Sequence, residues 1–330
     1  MTGDPHADGH LAIRNLTLDF LTGVRTLRAL DDVTLDIAPG EIVGLVGESG
    51  SGKTTLGKAI LGMLKPSGGA IRYRGHDLVA LTPGQRQPLR RDMQMVFQDP
   101  LSSFNPRFTI ASSLALPLRL HGISPPEAVE GEVAGLLRRV GLNADHGMRY
   151  PHELSGGQLQ RVAIARAISV RPRVIVADEA VSKLDVSVRA QVLNLLLRMN
   201  RETGASIVFI THDLGVARFL CHRIAVMYFG RIVETGRSAD IFSAPGHPYT
   251  QSLIEARHPG KRRIVTDADE AQLPVLNPAE ACNYAPRCLA RLPACLEARP
   301  PLEPTRDGHL CACFAPMAPQ TPARQTDAKE

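Results

Sequence analysis

Hydrophobic and polar positions alternate near the start of the chain and then change period. From Leu11 to Ile37 the alternation predicts at least two strands flanking a hairpin. The run Ile42–Val46 is apolar throughout, as in a strand buried on both faces. A glycine-rich loop follows, and then an apolar stripe with helical spacing that begins at Leu56. The order is therefore strand, loop, helix.

Strand and helix patterns continue to alternate further along the chain, which predicts an α/β core. The strand-like runs are Met93–Phe97, Val174–Ala177, Ile207–Thr211 and Ile224–Tyr228, and the helical patterns are Val186–Met199 and Leu214–Cys221. Strand patterns stop between Gln98 and Val170. There the helical spacing covers Ile110–Leu120, Glu127–Val140 and Gly156–Ile168, so we expect an inserted helical subdomain at about 99–170.

Composition changes at Gly246, after which prolines and most of the cysteines accumulate. We therefore expect an α/β core over 11–245 and a loop-rich, cysteine-bearing extension over 246–315. Polar ends at 1–10 and 316–330 are expected to be flexible.

Length and charge exclude several classes of protein. The chain has 330 residues and is 44% hydrophobic, enough to bury a core without disulfides or metals. It contains no apolar run of the ~18 residues that a membrane helix needs. The N-terminus lacks the pattern of a secretory signal, so we expect a cytoplasmic protein. A net charge of +5 with no tryptophan and 4% aromatics gives little support for nucleic-acid binding.

A phosphate-binding loop fits the segment between the buried strand and the helix. The pattern G-x-x-x-x-G-K-[ST] is met by Gly47, Glu48, Ser49, Gly50, Ser51, Gly52, Lys53 and Thr54, with Thr55 following. Glycines let backbone N–H groups converge on phosphate oxygens. Lys53 neutralises phosphate charge, and the Thr54 hydroxyl can bind magnesium. Kinases, GTPases and ATPases all remain compatible with this loop alone.

A second motif narrows that choice. The segment Leu154-Ser155-Gly156-Gly157-Gln158 opens a helix, with Ser155 suited to cap it. Its two glycines let the backbone approach an anion closely.

With these two motifs in this order, the sequence resembles the ATP-binding subunits of ABC transporters, from about Leu11 to the tail. The resemblance implies that Asp178 and Gln98 hold magnesium with Thr54, and that His212 contacts the γ-phosphate. It also implies that Glu179 is the general base or positions the attacking water. It also places Asp185 at a dimer interface and Phe20 beneath the adenine. The family motif around Glu179 is altered here at Ala180, Val181 and Lys183.

In that family two subunits face head to tail, and each ATP lies between one phosphate loop and the LSGGQ segment of the other subunit. The resemblance therefore assigns Ser155, Gly156, Gly157 and Gln158 to the ATP of a second ATPase subunit, either a copy or a paralogue.

Three stretches resemble the dipeptide, oligopeptide and nickel importer branch of the family: Gln98–Arg107, Tyr150–Glu153 and Gly246–Thr250. In that branch the cysteine-bearing tail is associated with an iron–sulfur cluster. Here the resemblance assigns a [4Fe–4S] cluster to Cys282, Cys288, Cys295 and Cys313, with Cys311 as a spare thiol. A reducing cytoplasm disfavours disulfides, while zinc or free thiols remain open.

The function that the resemblance implies is ATP hydrolysis that energises a peptide importer. Its partners would be two membrane permeases, a second ATPase and, through the complex, a substrate-binding protein. The chain would lie peripherally on the cytoplasmic face of the membrane, without nucleic acid. Alternatives are an importer of nickel or another small solute, a soluble ABC ATPase acting on nucleic acid or the ribosome, and a nucleotide-binding module without turnover. The cargo is not readable from this sequence.

Overall fold

The computed structural model describes residues 11–22, 25–256 and 280–317. The N-terminal segment 1–10 and most of the C-terminal tail, 318–330, are outside this range, so the expected flexibility of these ends stays a prediction. The strands of the described residues are β1 (Leu11–Thr22), β2 (Arg25–Ile37), β3 (Ile42–Val46), β4 (Gly68–Tyr73), β5 (His76–Asp77), β6 (Met93–Val96), β7 (Val174–Asp178), β8 (Ser206–Thr211), β9 (Arg223–Tyr228), β10 (Arg231–Arg237), β11 (Glu303–Arg306) and β12 (His309–Cys311).

The helices of the same residues are α1 (Lys53–Ile60), α2 (Pro83–Arg86), α3 (Ile110–Leu120), α4 (Val129–Arg139), α5 (Gly156–Ser169), α6 (Val186–Thr203), α7 (Leu214–Leu220), α8 (Ser238–Ser243), α9 (Pro248–Glu255) and α10 (Ala294–Glu297). They include all those that the periodicity predicts, together with four short ones that it does not, α2, α8, α9 and α10. Short 3₁₀ turns occur at Gln87–Arg90, Leu101–Ser103, Pro126–Ala128, Ala144–Met148, Pro151–Glu153 and Ala285–Arg287.

The N-terminal strands form an antiparallel layer in the order β2-β1-β4-β5. Leu11 pairs with Ile37 at one end of the β1–β2 ladder and Phe20 pairs with Leu27 towards the other. The predicted hairpin is therefore present. Alternate side chains of both strands point into a buried core, which explains the period of two in the sequence.

The central sheet has the order β11-β12-β10-β9-β3-β8-β7-β6, and its five strands from β9 to β6 run parallel. Strand β3 lies in the middle and is fully buried. Val43 and Leu45 pack in the core shared with α1 and the antiparallel layer, whereas Ile42 and Val46 pack in the core shared with the helices of the insertion. Burial on both faces accounts for the continuous apolar run.

The inserted region is helical, as its spacing predicts. Helix α3 packs against both α4 and α5, and their inward side chains join the larger of the two cores. Helix α5 is the last helix of this region and leads into β7, and the LSGGQ segment lies at its N-terminal end.

The C-terminal extension contains more regular structure than the sequence predicts. Strands β11 and β12 continue the central sheet beyond β10, with Leu310 paired to Thr235. Buried His309 lies 2.6 Å from the buried carboxylate of Glu234 and fixes β12 to β10. These strands have only three or four residues, and β11 contains Pro304, so neither shows a readable alternation. The extension is thus continuous with the core.

Across the ranges that the structure describes, every helix is too short or too polar to cross a lipid bilayer.

Candidate nucleotide-binding site

The phosphate loop runs from the end of β3 to the first turn of α1, as predicted. Gly47 has φ +159°, and a Cβ atom there would lie 2.2 Å from the carbonyl oxygen of Met227. Gly52 has φ +100°, and its Cβ would lie 2.8 Å from the carbonyl oxygen of Ala29. Both positions therefore require glycine, because the loop passes directly against neighbouring backbone.

Lys53 is the buried cation of this loop. Its Nζ donates to the carbonyl oxygens of Gly47 at 2.8 Å and Glu48 at 2.7 Å, and to Ser51 Oγ at 3.1 Å. Burial lowers the pKa of Lys53, although three nearby carboxylates oppose this shift. The loop thus holds the lysine ammonium group at its centre, where an anion would meet both it and the N-terminus of α1.

Asp178 and Thr54 form a pair beside the lysine. Asp178 ends strand β7, and its Oδ1 accepts a hydrogen bond from the Thr54 hydroxyl at 2.9 Å. Burial raises the pKa of Asp178, and the hydrogen bond from Thr54 acts in the opposite direction. A hydroxyl and a carboxylate side by side, both close to a phosphate loop, are oxygen ligands suited to magnesium.

Glu179 follows directly and is held by two other side chains. Its Oε2 accepts from Gln98 Nε2 at 2.6 Å, and its Oε1 lies 3.2 Å from His212 Nδ1. Glu179 has φ +44°, in the left-handed region that is rare for side-chain-bearing residues. Gln98, Glu179 and His212 follow β6, β7 and β8, so three parallel strands deliver them to one edge of the sheet.

A cavity of about 820 Å³ joins these groups. The residues predicted from the sequence that line it are Phe20, Ser49, Gly50, Gly52, Lys53, Thr54, Thr55, Gln98, Glu179 and His212. Its remaining lining residues were not predicted: Leu27, Arg28, Ala29, Phe229 and Gly230. Strand β2 and the turn after β9 supply these, and only the folded arrangement places them near the loop. Phe229 is 64% exposed and packs edge to face with Tyr228.

The LSGGQ segment lies outside that cavity. Ser155 caps α5 by accepting from the Gln158 backbone N–H at 3.3 Å, while the Gln158 side chain accepts from the Ser155 N–H at 3.0 Å. A Cβ atom on Gly157 would lie 2.4 Å from Val188 Cγ1, whereas Gly156 has open space. Asp185 caps α6 by accepting from the Val188 N–H at 2.9 Å.

The three residues that depart from the family motif follow Glu179. Ala180 and Val181 are buried, whereas Lys183 is exposed. The apolar pair therefore takes part in the core, and the added charge remains in solvent.

Comparison with known proteins decides the family. One similar solved structure is the dimeric ATP-binding cassette MJ0796 in a post-hydrolysis state, bound to ADP and Pi. It is 32% identical in sequence to this chain and superposes with a TM-score of 0.65. The match covers 69% of this chain and 98% of that one. The chain belongs to the ATP-binding cassettes of ABC transporters. The ABC transporter family model matches residues 30–182, and the model for the C-terminal region of oligopeptide/dipeptide transporters matches 233–295.

Other ABC proteins give the same result. The structure of cbiO1 from Clostridium perfringens, part of the transporter complex cbiONQ, is 28% identical with a TM-score of 0.63 and covers 70% of this chain and 90% of that one. The glutathione import ATP-binding proteins GsiA of Escherichia coli K12 and Shigella flexneri are each 49% identical over an alignment of 253 positions that covers 74% of this chain. The match spans only 41% of the length of those two relatives.

Two residues of the C-terminal extension reach the phosphate loop of this ABC cassette. The Tyr249 hydroxyl accepts a hydrogen bond from the Glu48 backbone N–H at 2.9 Å. The Arg287 guanidinium contacts both carboxylate oxygens of Glu48, at 3.0 and 3.3 Å. The sequence carried no signal for the Arg287 contact, and Tyr249 was notable only as part of a branch motif.

The cysteines of the extension are neighbours of one another. Burial and the proximity of Cys288, Cys282 and Cys295 raise the pKa of Cys313 to about 11. The Cys282 N–H also donates to the Cys295 carbonyl at 2.9 Å. However, no three His, Cys, Asp or Glu side chains of the described ranges are arranged to hold a metal ion. Cys311 is buried beside Glu234 and also lies near Cys313.

Proposed function

We propose that this chain hydrolyses ATP and thereby energises an ABC importer of peptides. The observation that carries the proposal is the Glu179 carboxylate, held between Gln98 and His212 at the mouth of a cavity that also contains Lys53 and Thr54. A carboxylate fixed by two side chains beside a phosphate loop is suited to orient and deprotonate an attacking water.

The remaining residues have roles that follow from their positions. Lys53 and the loop N–H groups bind the phosphates, while Phe20 offers an aromatic face for the adenine. Thr54, Asp178 and Gln98 are the oxygen donors for magnesium, which when bound neutralises charge on the phosphates. His212 holds Glu179 and faces the same cavity, where it can reach the terminal phosphate.

A second ATPase subunit is part of the proposal. Ser155, Gly156, Gly157, Gln158 and Asp185 are absent from the lining of the chain's own cavity. The α5 N-terminus that bears Ser155 is exposed, and so an anion on a neighbouring subunit can reach it. The dimeric state of the MJ0796 relative supports this arrangement. A copy of this chain or a paralogue would serve equally well.

The importer assignment is supported by the C-terminal region. The oligopeptide/dipeptide transporter model covers 233–295, and the GsiA relatives are named as glutathione import proteins, which favours a small peptide as cargo. We propose two permeases and a substrate-binding protein as partners, with this chain lying peripherally on the cytoplasmic face of the membrane. Nickel or another small solute is the competing cargo.

We further propose that Cys282, Cys288, Cys295 and Cys313 hold an iron–sulfur cluster. The mutual proximity of the four thiols supports it, and binding would require the side chains to move closer together than in the described structure. Anaerobic purification followed by iron and sulfide analysis tests this. Stoichiometric iron and sulfide, lost in the Cys295→Ser variant, would support a cluster; metal-free protein or zinc alone would contradict it.

The test of the whole function is affinity purification of the tagged chain from solubilised membranes of its host, with mass spectrometry of the proteins recovered. Two multispan permeases are expected, and a second ATPase in the complex would distinguish a heterodimer from a homodimer. Recovery of ribosomes or DNA-bound proteins without permeases would contradict the importer proposal and favour a soluble ABC ATPase.

A further inference from the structure

Glu48 is the position at which the C-terminal extension meets the phosphate loop. Its backbone N–H donates to Tyr249 at 2.9 Å, and its carboxylate is paired with Arg287 at 3.0 Å. These partners are 201 and 239 residues away along the chain. Its backbone carbonyl accepts from Lys53 Nζ at 2.7 Å, so Glu48 connects the extension to the buried cation of the loop.

The two contacting residues are themselves fixed by contacts with strand β9 and with the extension. Tyr249 is fully buried, and its ring packs against Tyr228 and Tyr284 with centroid distances of 4.5 and 5.4 Å. Arg287 also hydrogen-bonds to the Tyr228 side chain. Rings held by this packing have little rotamer freedom, so the Tyr249 hydroxyl occupies a defined position.

We propose that Tyr249 and Arg287 are positioning residues for the phosphate loop, through which the C-terminal extension sets the affinity of the site for MgATP. The inference rests on the proposed ATP-binding function and extends it to residues outside the ATPase motifs.

Each contact acts in a different way. Without the Tyr249 hydroxyl, the Glu48 N–H loses its partner and the first turn of the loop loses its anchor. Without Arg287, the Glu48 carboxylate stays uncompensated at the edge of a site that must take a highly anionic ligand, and like charges repel. Because Glu48 and Arg287 side chains are 44% and 36% exposed, solvent and salt screen this second effect.

The experiment is calorimetric titration of the purified full chain with MgATP at low and high ionic strength. For Arg287→Gln we expect a Kd about three- to fivefold higher than wild type at low salt, with the difference shrinking at high salt. Arg287→Lys retains the charge and should recover most of the affinity. The matched control is Arg291→Gln, because Arg291 lies in the same segment but bonds to the Ala285 carbonyl.

Tyr249→Phe tests the backbone anchor independently of charge. It should raise the Kd for MgATP about fivefold at both ionic strengths, since a neutral hydrogen bond is lost. Thermal unfolding of every variant shows whether the fold is intact.

Wild-type Kd values for both Arg287→Gln and Tyr249→Phe would overturn the inference. So would a weakening in Arg287→Gln that is independent of salt and not recovered by Arg287→Lys, because that pattern indicates a merely structural arginine. Wild-type protein that binds no MgATP would instead contradict the proposed function itself.

Discussion

The phosphate-loop edge of the central sheet and the LSGGQ segment of α5 carry the two sets of nucleotide-binding motifs, yet their environments differ sharply. At the loop, Lys53 and Asp178 are buried, and each has hydrogen-bond partners within the chain. At the LSGGQ segment, Ser155 is only locally capped and Gly156 faces open space. The groups at the phosphate loop are therefore held inside the fold, whereas those of the LSGGQ segment face solvent.

Under the proposed function, this difference corresponds to one complete half of a catalytic site and one half that serves another subunit. The strained Glu179 backbone belongs to the complete half, as expected where surrounding structure fixes a reacting group. Substitutions in the LSGGQ segment should therefore impair hydrolysis without weakening MgATP binding by the isolated chain.

The largest expected effect comes from Glu179→Gln. The amide cannot act as a base, so ATP turnover by the assembled transporter should fall by at least about a hundredfold. MgATP affinity should remain near wild type, because the lysine and loop contacts are unchanged. Phosphate release and calorimetric binding measure the two quantities. Glu202→Gln, at an exposed carboxylate paired with Arg139, is the matched control. Wild-type turnover in Glu179→Gln would show that another group is the base.

A smaller effect is expected from Gly157→Ala, in the LSGGQ segment. The added methyl meets Val188 Cγ1, so the free energy of unfolding should fall by about 1–3 kcal/mol and the α5 N-terminus should shift. Hydrolysis by the assembled dimer should drop at least about tenfold, while MgATP binding by the isolated chain should be unchanged.

Two further variants sharpen this result. Val188→Ala added to Gly157→Ala removes the clash and should restore stability. Gly135→Ala, in α4 with open space around its Cβ, should be neutral or stabilising. Loss of MgATP binding by the isolated Gly157→Ala chain, with its fold intact, would place the LSGGQ segment in the chain's own site.

Local patterns predicted the strand, loop and helix around Lys53. Strand β3, the glycine loop and α1 are encoded in adjacent residues, so the period and the motif can be read together. Thr54 and Asp178 are 124 positions apart, so no local pattern connects them. The family resemblance is what predicted that they lie close together.

Other features had no local pattern. Strands β11 and β12 are too short for a period, and Phe229 enters the cavity only because the turn after β9 folds against the loop. The Glu48–Arg287 ion pair joins residues at opposite ends of the chain. Such contacts depend on tertiary structure, and a single sequence carries no periodic trace of them.

Acid should lower the free energy of unfolding through His247, which holds the Tyr249 backbone beside the phosphate loop. Burial lowers the pKa of this histidine to about 4 from 6.5, and its Nδ1 accepts from the Tyr249 N–H. The unfolded chain therefore binds the proton first, and stability should decline as pH falls from about 6.5 towards 4, by about 2 kcal/mol by pH 5. Denaturant unfolding at several pH values measures this.

His247→Asn supplies the control, because asparagine keeps an acceptor for the Tyr249 N–H but does not titrate in this range. Its unfolding free energy should be flatter with pH than that of wild type. The pKa of Glu234 is already below its ordinary value, so its contribution is lost only at lower pH. Equal slopes in the variant and wild type above pH 5 would assign the acid sensitivity to other groups.

The smallest expected effect concerns the two aromatic side chains that line the cavity, Phe20 and Phe229. Substituting each one tests which of them stacks on the adenine of ATP. Stacking on a single aromatic ring changes affinity by only about threefold to tenfold. Phe20→Ala should therefore raise the Kd for MgATP by about fivefold and leave the binding of inorganic triphosphate unchanged, because the phosphates contact the loop and Lys53. Phe229→Ala is the matched comparison. If Phe229→Ala weakens MgATP binding and Phe20→Ala does not, the base stacks on the turn after β9, and Phe20 is a packing residue of β1.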